Sequence, residues 1–139
     1  MLQHQCKLGG YVVALLIALC ALLGCTDGGS VHVQVAGSYQ GTAQDSAAGT
    51  GTLTVTIAQN EATITGTWQL TFSNAANNNS GSITGSISHN SLNVTLQTSV
   101  PGACSYQLTA TVTGSQITGN YTSVNCSRPS SGTVTITRQ

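Results

Sequence analysis

From Val31 to the end of the chain, aliphatic and aromatic side chains recur at every second position, with Thr, Ser, Asn and Gln between them. A repeat of two is the signature of a strand with one dry face and one wet face. Val31, Val33, Val35, Gly37, Tyr39, Gly41 and Ala43 share a face of the first predicted strand. The second turns Leu53, Val55 and Ile57 one way and Thr52, Thr54 and Thr56 the other. The third carries Ile64, Gly66, Trp68, Leu70 and Phe72, the fourth Ile83, Gly85 and Ile87, and the fifth Leu92, Val94 and Leu96. Tyr106, Leu108, Ala110 and Val112 mark the sixth, Ile117, Gly119 and Tyr121 the seventh, and Val134 and Ile136 the last.

Two-residue turns fix which residues face each other across a hairpin. Asn60-Glu61 as a turn sets Ile57 opposite Ile64 and Val55 opposite Gly66. His89-Asn90 sets Ile87 opposite Leu92, and Gly114-Ser115 sets Val112 opposite Ile117. Each register matches apolar with apolar. The triplet Ile-Thr-Gly recurs at Ile64, Ile83 and Ile117, each time with its glycine on the apolar face. A glycine inside a strand weakens it unless a bend or a close neighbour requires one. A sheet coiling shut with about eight strands has that requirement, and closure also removes its exposed edges. The expectation is an all-β fold, an antiparallel up-and-down barrel of about eight strands, apolar inside and threonine-rich outside. Tight turns follow the second, fourth and sixth strands and longer loops the others, so one end is pinched and the other is a mouth. The chain enters at the pinched end.

The stretch before Val31 has a different character. Tyr11 to Leu23 is an apolar run behind a segment whose one cation is Lys7, the shape of a signal peptide. The run is short for a membrane span and carries no basic flank at its end. Leu22-Leu23-Gly24-Cys25 resembles the lipobox of bacterial lipoproteins. The resemblance implies a signal peptide at 1–24, diacylglycerol and palmitate-type acylation of Cys25, and a short tether at 25–30. The alternative is secretion with cleavage near Gly24. Each buried methylene of such an anchor contributes about 0.8 kcal/mol. The membrane lipid is then one partner, and the expected place is the cell envelope. Thr26, not an aspartate, follows the cysteine, which by the same resemblance favours the outer membrane where two membranes exist. With Cys6 and Cys20 in the leader and Cys25 lipidated, Cys104 and Cys126 are the candidate disulfide, in a compartment that permits oxidation.

Charged residues are 4% of the 139, with formal net charge +0, which gives no basic footprint for nucleic acid. Asp45, Glu61, His32 and His89 fall on separate elements. No acid–base pair and no convergent metal-ligand set can be read from them, so the domain at 31–139 is expected to be non-enzymatic and to need no metal or cofactor.

Over Gly37 to Gln139 the pattern resembles the lipocalin and avidin group of small barrels. Gly37-Ser38-Tyr39 stands where those families place glycine-x-tryptophan, and Arg138 where they place a basic residue on the last strand. The resemblance implies that the ring and the guanidinium, both turned inward, stack at the pinched end. The single tryptophan, Trp68, does not make the several-tryptophan box of avidins, so biotin is not implied. Two functions of different classes stand side by side. The first is a surface or envelope interaction protein, whose mouth loops Asp45 to Thr50, Ser73 to Ser80, Thr98 to Ala103 and Val124 to Ser131 contact a protein or glycan. The second is a lipocalin-like module holding a small hydrophobic ligand among Tyr39, Trp68, Phe72, Tyr106 and Tyr121. A protease inhibitor of the barrel type is a weaker third. An open cavity favours the ligand; an interior filled by those rings favours the loops.

Overall fold

Alternation of this kind can close on itself, and it does. The computed structural model of the protein describes residues 31–139. The leader, Cys25 and the tether lie outside the described residues. The strands are β1 (Gly37–Asp45), β2 (Gly49–Asn60), β3 (Thr63–Phe72), β4 (Asn79–Ser88), β5 (Ser91–Thr98), β6 (Ser105–Thr113), β7 (Gln116–Val124) and β8 (Ser131–Arg138). Each pairs antiparallel with the next, and β8 returns to β1, giving a closed eight-stranded barrel. A short 3-10 turn, Ala75–Asn77, is the one helical element among the described residues.

The inward set is the apolar set. Leu53, Val55, Ile57, Ile64, Trp68, Ile83, Ile87, Leu92, Val94, Leu108, Ile117, Val134 and Ile136 are all buried in one cluster, while Thr52, Thr54, Thr56, Thr65, Thr67, Thr133 and Thr135 are exposed. Full burial of each large aliphatic side chain is worth about 1.5–3 kcal/mol.

Two of the three hairpins take the expected register, with Ile87 opposite Leu92 and Val112 opposite Ile117. The third is shifted. Its turn is Glu61-Ala62, not Asn60-Glu61, so Ile57 faces Gly66 and Val55 faces Trp68. In all three turns the first residue takes a positive φ: 53° at Glu61, 54° at His89 and 59° at Gly114. That is the backbone of the hairpin turns whose twist matches the flanking strands.

The first strand is shorter than the alternation suggests. β1 begins at Gly37, and Val31 and Val33 are exposed. The chain instead crosses beneath the barrel. Val33 donates its amide to the carbonyl of His89 at 3.1 Å, and Val35, with no exposed surface, donates its own to Oε1 of Gln59 at 2.7 Å. The Tyr39 hydroxyl donates to the Val35 carbonyl at 2.9 Å. Arg138 donates from Nη2 to that hydroxyl and to the Gln34 carbonyl, each at 3.0 Å, with its guanidinium carbon 5.5 Å from the ring centroid. Tyr39 is buried, and Arg138, directly opposite it and on the same face of β8 as Val134 and Ile136, stacks on its ring as expected while staying exposed at the rim. One end of the barrel is closed by these contacts.

The recurring glycines mark close approach between neighbouring strands. A methyl group at Gly66, Gly85 or Gly119 would land on the backbone carbonyl oxygen of Thr56, Asn93 or Thr109 respectively. Because the obstacle is backbone, no side chain can turn aside to relieve it. Gly85→Ala is therefore expected to cost about 1–3 kcal/mol, the range for overpacking a filled interior. Urea unfolding checks this, and an unchanged midpoint would mean that the strands have room to spare.

Candidate functional site

At the other end, connections leave room. The segments between β1 and β2, β3 and β4, β5 and β6, and β7 and β8 all gather there. Each is braced by local polar contacts. Asp45 ends β1 and accepts the amides of Ala47 and Ala48 on Oδ1, at 2.8 and 2.9 Å. Ser46 donates its amide to the Ser131 carbonyl at 2.9 Å, joining this turn to the start of β8. Asn74 caps the 3-10 turn, and Asn78 takes the Phe72 amide on Oδ1 at 2.8 Å. Cys104 and Cys126 are joined as a disulfide, with Cα atoms 5.0 Å apart and a sequence separation of 22. The bond ties the β5–β6 and β7–β8 connections together.

Between these braces lies a cavity of about 170 Å³, open at the mouth and lined by Leu53, Trp68, Leu70, Phe72, Leu96, Tyr106, Tyr121 and Val134, with Asp45 and Arg128 among its polar groups. Trp68, Leu53, Leu96 and Val134 also line a void of only about 20 Å³ among the aliphatic residues. The interior is thus packed in its aliphatic part and hollow at the mouth. Small residues make the hollow possible. A methyl group at Gly51 would come within 2.8 Å of the Phe72 ring, and one at Gly132 within 2.6 Å of the Tyr121 hydroxyl.

The rings are organised. Trp68 and Tyr106 meet edge to face with centroids 6.1 Å apart, and Tyr106 meets Tyr121 the same way at 5.7 Å. Such contacts add about 0.5–1.5 kcal/mol each beyond their buried area. Tyr121 ends the series by donating its hydroxyl to Oδ2 of Asp45 at 2.7 Å, across 76 residues of sequence. Burial pushes the Asp45 carboxyl upward, but hydrogen bonds from Tyr121, Ala47, Ala48 and Ser130 outweigh it and hold the group below its ordinary 3.8. Burial, reinforced by the hydrogen bond to Asp45 and its charge, pushes the Tyr121 phenol well above the ordinary tyrosine range.

Of the five aromatic residues expected to line a ligand, four meet here: Trp68, Phe72, Tyr106 and Tyr121. Tyr39 does not, because it belongs to the closed end. Asp45, Arg128, the leucines, Asn77, Asn79 and Ser130 also line it. Asp45 reads in the sequence as a solvated turn residue; the signal for more was its place at the head of Asp45-Ser46-Ala47-Ala48-Gly49, a turn that an aspartate can nucleate through its own carboxylate. Glu61 and His89 stand at the closed-end turns. Among the described residues no three His, Cys, Asp or Glu side chains come together as metal ligands, and no helix is long and apolar enough to cross a membrane. Comparison with known proteins finds no matching family model, curated protein or solved structure.

Two outcomes follow from the braces. Opening the disulfide with Cys104→Ser plus Cys126→Ser is expected to remove about 3 kcal/mol, the chain-entropy value for a loop of this length. Thermal unfolding with and without reductant measures it. The Asp45 carboxylate favours the folded state because it is more acidic there than in the unfolded chain. Its contribution is complete above pH 3.8 and is lost as pH falls below that, through the lower folded-state value. The raised tyrosine acts at the other extreme: its contribution is complete below the ordinary phenol range and declines as pH rises above it. Tyr121→Phe should flatten both limbs of a stability–pH curve, and a curve that keeps both would show that this pair does not control them.

Proposed function

We propose that the protein is a binding module that takes a compact, mainly apolar ligand into the mouth cavity. The observation that carries this reading is a hollow of about 170 Å³ walled by Trp68, Phe72, Tyr106 and Tyr121 in a barrel otherwise filled. Size decides among ligands. Drug-sized molecules occupy pockets of about 300–1,000 Å³, whereas an apolar cavity near 150 Å³ accepts benzene. A single ring fits, and a long acyl chain does not. This is a narrower content than the resemblance to lipocalins and avidins suggests, and that resemblance stays a likeness of pattern. The role is binding and not catalysis, since the one acid at the cavity is engaged by a phenol and two amides.

The proposed setting is the cell envelope, with the acylated Cys25 holding the domain to lipid, on the outer membrane where there are two. The chain enters the described domain at the closed end, which supports a mouth directed away from that surface. A second reading, contact with an envelope protein or glycan through the mouth loops, is favoured by Val100, 62% exposed beside Pro101 in the β5–β6 connection.

Native mass spectrometry of the protein from its own host tests the ligand. The expected result is a bound species with the mass of one substituted ring, absent from Leu70→Trp, which fills the half-buried rim of the cavity. A protein that leaves its host empty and takes up neither benzene nor toluene in solution overturns the reading in favour of the loops.

A further inference from the structure

We infer that the mouth cavity selects a single-ring carboxylate, its ring in the aromatic hollow and its carboxylate on the guanidinium of Arg128. This rests on the ligand-binding reading above and adds the charge of the ligand to its size.

The starting point is an imbalance between the two formal charges that line the cavity, Asp45 and Arg128. Asp45 is committed to its own surroundings: Oδ1 takes the amides of Ala47 and Ala48, and Oδ2 takes the Tyr121 hydroxyl. Burial works against its charge and hydrogen bonds from Tyr121, Ala47, Ala48 and Ser130 sustain it, with no cation among the described residues taking part. Its charge is answered within the fold, and not by Arg128. Glu61, the other acid among the described residues, stands in the β2–β3 turn at the closed end. The arginine therefore has no carboxylate of the described domain to pair with.

Arg128 is placed where a ligand could use it. Its connection is gathered at the neck, where the Ser123 amide donates to the Ser130 carbonyl at 2.8 Å and the Ser130 amide donates to Oγ of Ser123 at 2.7 Å. Cys126, two residues before it, is bonded to Cys104, and Pro129, directly after it, favours an extended backbone at Arg128 itself. The backbone is anchored at the rim while the exposed side chain keeps its freedom to turn over the opening. A guanidinium offers five N–H donors and no acceptor, in a planar fork that matches a carboxylate. Asn77, Asn79 and Ser130, which also line the cavity, both donate and accept, so they do not discriminate by charge.

Toluene, benzamide, benzoate and benzylammonium share one ring and differ in polarity and charge. Their affinities for the full protein are measured by calorimetry at neutral pH, with free concentrations fixed by dialysis so that partition into any lipid or detergent cancels. Benzoate should bind about three- to tenfold tighter than benzamide, the gain that an exposed ion pair allows. That gain should shrink between about 0.01 and 1 M salt, as the screening length falls from about 30 to 3 Å, and Arg128→Gln should remove it. The chain has arginine only at 128 and 138, so a nitrogen-15 spectrum has two arginine Nε–H signals; benzoate should move the one that Arg128→Gln lacks. Benzylammonium as the tightest binder overturns the inference and makes Asp45 the charge that is read. Benzoate no tighter than benzamide or toluene, or a preference that survives Arg128→Gln, overturns it and leaves a cavity indifferent to charge. Binding of none of the four overturns the ligand reading itself, and this inference with it.

Discussion

A sheet of eight strands that closes on itself has a fixed and narrow interior, and the rest of the molecule adjusts to that width. The backbone gains from closure, because every strand is paired on both sides and no edge is left to recruit another chain. The side chains then compete for a limited volume. Glycine appears where neighbouring backbones nearly touch, at Gly66, Gly85 and Gly119, and rings appear where space remains. The direction of the alternation matters as much as its period. Membrane-spanning barrels turn apolar residues outward to lipid and polar ones inward, whereas here the threonines face out and the aliphatic residues face in.

The two ends resolve the same problem differently. At the closed end the chain folds back under the barrel, and Val35, Tyr39 and Arg138 form a stopper held by hydrogen bonds to Gln34 and Gln59. At the mouth four connections gather around the opening. Support comes from the perimeter: a disulfide, the Asp45 turn and the Tyr121–Asp45 hydrogen bond hold four connections apart around a hollow. A perimeter of this kind maintains a cavity without filling it, which is the physical content of preorganisation.

What the sequence revealed and what it hid follow from that geometry. Period and turn chemistry are local, so strand number, the facing of each side chain and the polarity of the two ends could be read directly. Register at the β2–β3 hairpin could not. Moving the turn from Asn60-Glu61 to Glu61-Ala62 shifts the pairing by two residues and leaves every side chain on its own face, so the apolar pattern is satisfied either way. Val31 and Val33 kept the alternation beyond the point where a partner strand exists, because hydrophobic period says nothing about pairing. The grouping of Trp68, Phe72, Tyr106 and Tyr121 without Tyr39 depends on depth along the barrel, which emerges only once all eight registers are summed.

Charge placement carries the argument one step further. Among the described residues the four formally charged side chains are Asp45, Glu61, Arg128 and Arg138, and none lies on the outer wall between the ends: Asp45 and Arg128 are at the mouth, Glu61 and Arg138 at the closed end. The wall is a lattice of hydroxyls and amides without formal charge, so it offers a partner hydrogen bonds but no charge pattern. Shape and charge coincide at one place, where the aromatic hollow meets Asp45 and Arg128. The proposed binding therefore has its features of shape and charge at the mouth, placed there by the same alternation that builds the barrel.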